Sequence, residues 1–256
     1  MKRATAVRLT RQGVGVGIAD GIAWVRLDRP EADNRITADM AQSLCDTAAE
    51  IELDDRIVAV VIAAAGRAFC AGVEMHGEWE RRTDWVAAMA AITRPVIAAI
   101  QGDAVAEGLE LALACDVRVA SERAHVAMPQ LAAGRLPAHG GTQRLPRIVG
   151  RMRALDLLLT GRTLDAAEAQ AIGLLSRVAP HRDFDRTLAG VINELRAKGP
   201  IALRYAKEAV LAGSDLTLDQ GIRLEEDLYV LLQTTRDRRA GIRAFLAKRK
   251  PVFRGH

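Results

Sequence analysis

The chain has 256 residues, of which 50% are hydrophobic and 27% are charged, so it is long enough for one large globular domain with a substantial core. No apolar run approaches the length of a membrane-spanning helix, and the basic start of the chain lacks the apolar stretch of a secretory signal. The three cysteines have no metal-type spacing, which indicates reduced thiols, so we expect a cytoplasmic protein without a metal site.

The first half of the chain alternates short strands with helices. Apolar runs at 14–19 and 22–27 flank Asp20-Gly21, which predicts a β-hairpin, and Thr37 is placed to cap the next helix. Further buried strands are predicted at 57–63, 95–100 and 117–120, and helices at 84–92 and 107–115. This alternation predicts an α/β fold of stacked β-β-α units joined by right-handed crossovers.

The last third of the chain is predicted to be helical. The helical segments are 142–149, 152–159, 164–172, 184–198, 202–212 and 216–248, the last with a break near Thr235. We therefore divide the chain into an α/β core at 1–195 and a helical C-terminal region at 196–256. The apolar stripe of the last long helix suits either core packing or an oligomer interface.

Positive charge is concentrated at the end of the chain. Residues 236–256 contain eight Lys or Arg and one acidic residue, Asp237, although the whole chain has a formal net charge of only +4. Such a segment is either a solvated helix face or an anion site. Aromatic residues make up only 4% of the chain and no nucleic-acid-binding motif occurs, so a phosphate-bearing small molecule is a better candidate ligand than nucleic acid.

Four segments carry motifs, in the order 68–75 (AFCAGVEM), 102–116 (GDAVAEGLELALACD), 134–145 (GRLPAHGGTQRL) and 244–251 (AFLAKRKP). Together they resemble the enoyl-CoA hydratase/isomerase (crotonase) superfamily. The resemblance implies a crotonase-like spiral of β-β-α units, an acyl-CoA substrate, and a homotrimer or dimer of trimers. It also implies no metal and no cofactor apart from the coenzyme A of the substrate. We expect neither nucleic acid nor a membrane as a partner.

The resemblance assigns an oxyanion hole to two of these segments. Acyl-CoA thioesters react through an enolate-like oxyanion, which two backbone N–H groups can stabilise in a site shielded from water. The family takes one N–H from the residue after Ala71-Gly72, here Val73, and small residues there let the backbone approach the ligand. The second N–H comes from the start of the following helix, here Glu107, where family members usually have glycine.

The catalytic carboxylates depart from the family pattern. Hydratases of the family hold one water between two glutamates. The first maps onto Glu110, which we expect to act as general base, but the second position holds Gln130, whose amide cannot transfer a proton near neutral pH. The chain is therefore predicted to be an enoyl-CoA hydratase-like enzyme. Isomerisation, decarboxylation or C–C hydrolysis through the same enolate, and an attenuated acyl-CoA-binding protein, are the alternatives.

Two nearby groups are candidates to compensate for Gln130. Glu107 and Glu110 share a helix face at i,i+3, so an inward-facing Glu107 would form a carboxylate pair, although a solvent-facing side chain is the simpler expectation. His139 would titrate in a useful pH range and is a candidate auxiliary group, the alternative being a structural loop histidine.

The resemblance also assigns residues to substrate binding. They are Ala71, Gly72, Val73, Glu74, Phe245 and Lys248. His76 and Glu78 are expected near the mouth of the CoA site, and the acyl pocket is expected to draw on residues 79–85 and the C-terminal helices. Phe245 and Lys248 match positions that contact CoA from a neighbouring subunit, which would make Lys248 a counter-charge to the CoA phosphates.

Overall fold

The computed structural model describes residues 9–74 and 84–256. The strands are β1 (Leu9–Arg11), β2 (Val14–Ala19), β3 (Ile22–Leu27), β4 (Ala59–Ala64), β5 (Val96–Ile100), β6 (Ala104–Val105), β7 (Val117–Ser121), β8 (His125–Ala127), β9 (Leu164–Asp165) and β10 (Arg177–Ala179). The helices are α1 (Ala38–Glu52), α2 (Trp85–Ala90), α3 (Glu107–Ala114), α4 (Gly141–Val149), α5 (Arg151–Thr160), α6 (Ala166–Ala171), α7 (Phe184–Arg196), α8 (Pro200–Gly213), α9 (Leu218–Gln233) and α10 (Arg236–Leu246).

The strands form two sheets. The larger has the order β1-β2-β3-β4-β5-β7-β10, with β1 to β3 antiparallel and every pair from β3 to β10 parallel. The smaller contains β6, β8 and β9, and the sequence did not predict it. Strands and helices alternate through this part of the chain, so the predicted α/β class is confirmed.

The central strands are apolar along their whole length because both faces of the large sheet are covered. On β4, Val60 and Ile62 belong to the main core, whereas Val61 lies on the opposite face. That opposite face packs against buried residues of α7, including Phe184 and Leu188. Burial on two faces explains why the sequence shows a continuous apolar run here and no alternation with polar residues.

Most predicted element ends are confirmed. Asp20 and Gly21 both have positive φ, at 51° and 77°, as a two-residue hairpin turn requires. Thr37 caps α1 by accepting a hydrogen bond from the N–H of Met40. The last long helical segment breaks where expected, because Thr235 caps α10.

One predicted helix is shorter than expected. Residues 164–172 were predicted as a single helix, but Leu164 and Asp165 form β9, which pairs with β8. Asp165 then caps α6 by accepting a hydrogen bond from the N–H of Glu168. The apolar period of this segment does not distinguish a two-residue strand from the first turn of a helix.

Charged side chains fix the C-terminal region, one of them against the core and one within the region itself. Lys207 on α8 lies 2.7 Å from Asp116 Oδ2 and donates to the carbonyl of Arg94. Asp237 is buried and accepts hydrogen bonds from the N–H groups of Arg254 and Gly255, so the one acidic residue of the basic tail is not part of a solvated face. The division of the chain after residue 195 stays a prediction.

The apolar stripe of α9 is mostly exposed within the single chain. Leu218, Ile222 and Leu231 are exposed, and Leu228 is the one residue of α9 that is buried. Core packing within the chain therefore does not account for the stripe. None of the described helices combines the length and the apolar character that crossing a bilayer would need. All three cysteines are free; Cys70 and Cys115 are buried, whereas Cys45 is half-buried.

Candidate active site

The start of α3 packs directly against residues 70–73, an earlier segment of the chain. We call residues 70–73 the oxyanion loop. A Cβ at Gly108 would lie 2.1 Å from the carbonyl oxygen of Cys70, so only glycine allows this contact. Ala106, just before the helix, has φ of 54° and ψ of −122°, a strained conformation for a residue with a side chain. The close approach brings the oxyanion loop against the first turn of α3.

Backbone hydrogen bonds hold the oxyanion loop in place. The N–H of Ala71 donates to Asp33, and the carbonyl of Gly72, which has φ of 105°, accepts from the N–H of Ile36. Within residues 9–74 and 84–256, no acceptor is recorded for the N–H of Val73 or for that of Glu107. The two groups assigned to the oxyanion hole are thus free to donate, and their catalytic role stays a prediction.

Glu110 is the most enclosed carboxylate of the site, with 0% exposure. Its Oε1 accepts two backbone hydrogen bonds of 2.8 Å, from the N–H groups of His139 and Gly141. Burial raises the pKa of the Glu110 carboxyl above its ordinary value, and these two hydrogen bonds oppose the shift. The negative charge of Glu107 acts in the same direction as burial. Oε2 of Glu110 takes no part in these two backbone hydrogen bonds.

Gln130 lies next to that oxygen, on a short 3-10 helix over Gln130–Ala133. The side chain is only 3% exposed, and its Nε2 donates to Glu110 Oε2 at 3.4 Å. Its Oε1 is buried and finds no donor among the described residues. A buried amide oxygen without a partner is unfavourable by about 1–3 kcal/mol, so this oxygen indicates a position where water or substrate donates a hydrogen bond.

Glu107 departs from the simpler expectation of a solvent-facing side chain. It is 2% exposed, and its Oε1 accepts a 2.6 Å hydrogen bond from Nη2 of Arg135. Its Oε2 would lie 2.8 Å from a Cβ at Gly72, so the carboxylate faces the oxyanion loop. The expectation was wrong because the partner is 28 residues away in the sequence, and local helix periodicity carries no information about it.

His139 is buried beside Glu110, and its backbone N–H is the part that contacts the Glu110 carboxylate. Its Nδ1 lies 3.5 Å from Asp84 Oδ1, at the limit of a hydrogen bond, and its ring centre is 5.3 Å from that of Trp85. Arg144 donates to the carbonyl of His139 and fixes the loop further. The structure therefore gives His139 a positioning contact to Glu110 through its N–H; the auxiliary role of its ring stays a prediction.

The remaining predicted site residues are spread over the chain. Glu74 is half-buried and forms a 2.6 Å ion pair with Arg29. Phe245 lies in the last turn of α10 and is 82% exposed, and Lys248, two residues beyond the helix, is exposed as well, so neither is covered within the single chain. His76, Glu78 and most of segment 79–85 lie outside the described residues. In the described part of the chain, no group of three or more His, Cys, Asp or Glu side chains could hold a metal ion.

A cleft of about 760 Å³ borders the oxyanion loop at Ala71 and extends along Gly102. Its basic side chains are Arg35, Arg67, Arg123, His125 and His181. Two acidic residues offset part of this charge, because Asp33 pairs with Arg67 and Asp103 pairs with His125. Sequence reasoning missed this cleft, although Arg67 stands directly before the AFCAG motif and could have pointed to it.

The Enoyl-CoA hydratase/isomerase family profile matches residues 17–256. The chain belongs to this family, the crotonase superfamily. The Bacillus subtilis protein YngF, named as an enoyl-CoA hydratase/isomerase, is 38% identical over 91% of this chain and 95% of its own length. The 2,3-dehydroadipyl-CoA hydratase of Escherichia coli is 36% identical, with the same coverage of 91% and 95%.

Solved crotonase structures have the same fold. A crystal structure of enoyl-CoA hydratase from Bacillus anthracis superposes with a TM-score of 0.92 at 33% identity and covers 96% of this chain and 100% of that chain. These similarities confirm the predicted crotonase fold and an acyl-CoA enzyme of the enoyl-CoA hydratase/isomerase type. The individual reaction, the oligomeric state and the role of each site residue stay predictions.

Proposed function

We propose that this crotonase hydrates a 2-enoyl-CoA thioester and uses Glu110 as its single proton-transfer residue. The observation that carries the proposal is the contact between two buried side chains: Gln130 donates through Nε2 to Oε2 of Glu110, and Oε1 of the same amide is buried without a donor among the described residues. Both oxygens can accept hydrogen bonds. A water held by the two would donate both of its protons to them and present a lone pair to Cβ of the substrate.

In the proposed reaction one proton is transferred twice, first from water to Glu110 and then from Glu110 to the substrate. As the water oxygen bonds to Cβ, one water proton passes to Oε2 of Glu110 and the π electrons move onto the thioester oxygen. The N–H groups of Val73 and Glu107 stabilise the resulting enolate. Glu110 then returns the proton to Cα, so the elements of water have added across the double bond. Gln130 orients the water and transfers no proton.

A carboxyl that both accepts and returns a proton works best with a pKa close to the working pH. Burial of Glu110 moves its pKa in that direction. The two backbone hydrogen bonds to Oε1 keep the other oxygen in a fixed direction, so the same atom faces the water and Cα. This arrangement supports the single-carboxylate mechanism.

The basic cleft beside Ala71 is suited to the phosphates of coenzyme A. It lies next to the oxyanion loop, and Arg35, Arg67 and Arg123 supply positive charge along it. Arginine is suited to phosphate because its planar guanidinium can donate two parallel hydrogen bonds. In this proposal the nucleotide end of the substrate occupies the cleft and its thioester reaches the N–H of Val73.

The test is hydration of crotonyl-CoA by the purified protein, followed as the loss of enoyl-thioester absorbance. The Glu110→Gln variant keeps the side-chain size and removes proton transfer, so we expect its kcat to fall by about 10²–10⁴-fold. Glu225→Gln, on the exposed part of α9, is the matched control and should leave kcat unchanged. Equal rates for the wild-type protein and Glu110→Gln would contradict the proposal.

Gln130 also favours a second reaction type. A site with one proton-transfer carboxylate is sufficient to move a proton between Cα and Cγ of an enoyl thioester, which needs no attack by water. Incubation with a 3-enoyl-CoA distinguishes the two reactions: formation of the 2-enoyl-CoA isomer would show isomerisation, whereas an unchanged 3-enoyl-CoA, beside conversion of crotonyl-CoA to the 3-hydroxyacyl-CoA, would show hydration alone.

A further inference from the structure

A buried ion pair lies beside the oxyanion loop, and neither the proposed mechanism nor the sequence motifs account for it. Glu107 is almost fully buried, and its carboxylate is 2.6 Å from the guanidinium of Arg135. The side chain of Arg135 is 24% exposed, so solvent reaches the arginine while the carboxylate is enclosed. Burial of a carboxylate is unfavourable unless a cation and hydrogen bonds compensate it, so the position of Glu107 depends on Arg135.

The location of this carboxylate is unexpected for an oxyanion site. It faces Gly72, one residue before Val73, and it belongs to the residue whose own N–H is the second donor. Negative charge at this point would repel the enolate that the site has to stabilise. The guanidinium of Arg135 neutralises that charge and fixes where the carboxylate points.

We propose that Glu107 and Arg135 act as one positioning unit of the oxyanion hole, in which Arg135 holds the Glu107 carboxylate off the bound thioester while the Glu107 N–H donates to its oxygen. The inference rests on the proposed function in one respect, because it takes this N–H as an oxyanion donor. Residues 134–141 then hold both carboxylates of the site: Arg135 holds Glu107, and the N–H groups of His139 and Gly141 hold Glu110.

Three variants test the unit: Arg135→Met, Glu107→Gln, and the double variant. Methionine keeps an unbranched side chain without the charge, and glutamine keeps the size of glutamate. Two quantities are measured for each. One is kcat and KM for crotonyl-CoA; the other is the infrared frequency of the thioester carbonyl in bound butyryl-CoA labelled with carbon-13. This saturated thioester does not react, so its carbonyl frequency reports the hydrogen bonds of the oxyanion hole alone.

Arg135→Met leaves a buried, uncompensated carboxylate at the oxyanion loop. We expect kcat to fall by about 10²-fold, the loss typical of one oxyanion donor, and the carbonyl band to lose its shift to low frequency. The double variant has no buried charge, so kcat should recover to within about tenfold of the wild-type value and the shift should return. Glu107→Gln alone should retain most of the activity, because the N–H donor is unchanged.

Arg162→Met is the matched control, since Arg162 forms a pair of the same 2.6 Å length with Glu168 on the surface. It should change neither quantity. If the losses of the two single variants simply add in the double variant and the carbonyl band is unchanged, the inference is overturned and the pair is merely structural. Should Arg135→Met not fold, the double variant decides: recovered activity and band shift support the unit, and their absence overturns it. A wild-type protein without hydratase activity, but with a band that depends on Arg135, would refute the proposed function alone.

Discussion

The amide nitrogen of Gln130 lies 3.4 Å from Oε2 of Glu110, and the amide oxygen of the same side chain has no donor among the described residues. The side chain therefore uses its donor on Glu110 and leaves its acceptor available to a water or a substrate group. The role of Gln130 can therefore be tested by substitution.

Gln130→Glu restores the second carboxylate of the family pattern. A glutamate at this position supplies a second group for proton transfer, which contributes typically 10²–10⁴-fold to a rate, so we expect turnover of crotonyl-CoA to rise by about 10²-fold. The measurement is kcat at several pH values, because the two close carboxylates share protons. Gln130→Ala is the control and should lower kcat, since the water loses an acceptor. No increase in Gln130→Glu would argue for a reaction other than hydration.

The pH dependence of kcat/KM follows from the burial of Glu110. The base acts in its ionised form, and burial raises the pKa of its carboxyl, so activity should fall as the pH drops through a midpoint above the ordinary glutamate range. The folded carboxyl keeps its proton to higher pH than the unfolded one. The free energy of unfolding should therefore decrease as the pH rises through the same interval. An acid limb at the ordinary glutamate pKa would contradict the assignment.

Gly108→Ala tests the contact between α3 and the oxyanion loop. The new Cβ would lie 2.1 Å from the carbonyl oxygen of Cys70, and we expect the free energy of unfolding to fall by about 2 kcal/mol or more, together with kcat. Gly190→Ala in α7 is the matched control, because nothing lies within 4 Å of its Cβ position, and it should stabilise the protein by up to about 1 kcal/mol. Thermal unfolding measures the stability of both variants. Equal changes in stability would show that the backbone around Gly108 and Cys70 shifts to accommodate the new Cβ.

Lys248→Met tests the predicted role of the basic tail in CoA binding. Loss of a charged contact to a phosphate should weaken binding of butyryl-CoA by about tenfold, and less at high salt. Lys250→Met, two residues further along the same exposed segment, is the control and should change binding little. Calorimetric titration measures the affinity. Identical constants for the two variants would leave Lys248 as part of a solvated helix face.

Asp237→Ala should release the end of the chain from α10. The carboxylate of Asp237 accepts hydrogen bonds of 2.8 Å from the N–H groups of Arg254 and Gly255, and the variant removes both. We expect a loss of about 1–3 kcal/mol and faster cleavage of the last residues in limited proteolysis. Unchanged proteolysis would mean that the remaining contacts, such as the hydrogen bond from the backbone N–H of residue 237 to the carbonyl of His256, hold this segment without the carboxylate.

The parts of the fold that sequence predicted are those with a strong local pattern. Continuous apolar runs marked the buried strands, the capping residue Thr37 marked the start of α1, and the predicted break near Thr235 coincides with the start of α10. The smaller sheet was missed because its strands have two or three residues, too few for any period to appear. Its pairing exists only once distant segments are brought together.

The candidate site likewise has a part that the sequence predicted and a part that it did not. The motif positions identified Glu110 and Gln130, and the structure brings the two into contact. The inward turn of Glu107 and the burial of Asp237 were not predictable, because each depends on partners at least 17 residues away. The basic cleft was missed for a related reason. Its basic side chains come from four separate parts of the chain and form a surface only after folding.

The ion pair at the start of α3 also restricts how this site could change by single substitutions. An arginine at position 135 that does not face a glutamate at position 107 can turn to solvent, since part of the side chain already reaches it. A glutamate at position 107 without Arg135 has no comparable escape, because its surroundings are closed. A chain that acquires the pair stepwise therefore keeps a working intermediate only if the arginine comes first, and a transplant of Glu107 into another crotonase requires Arg135 to be moved with it.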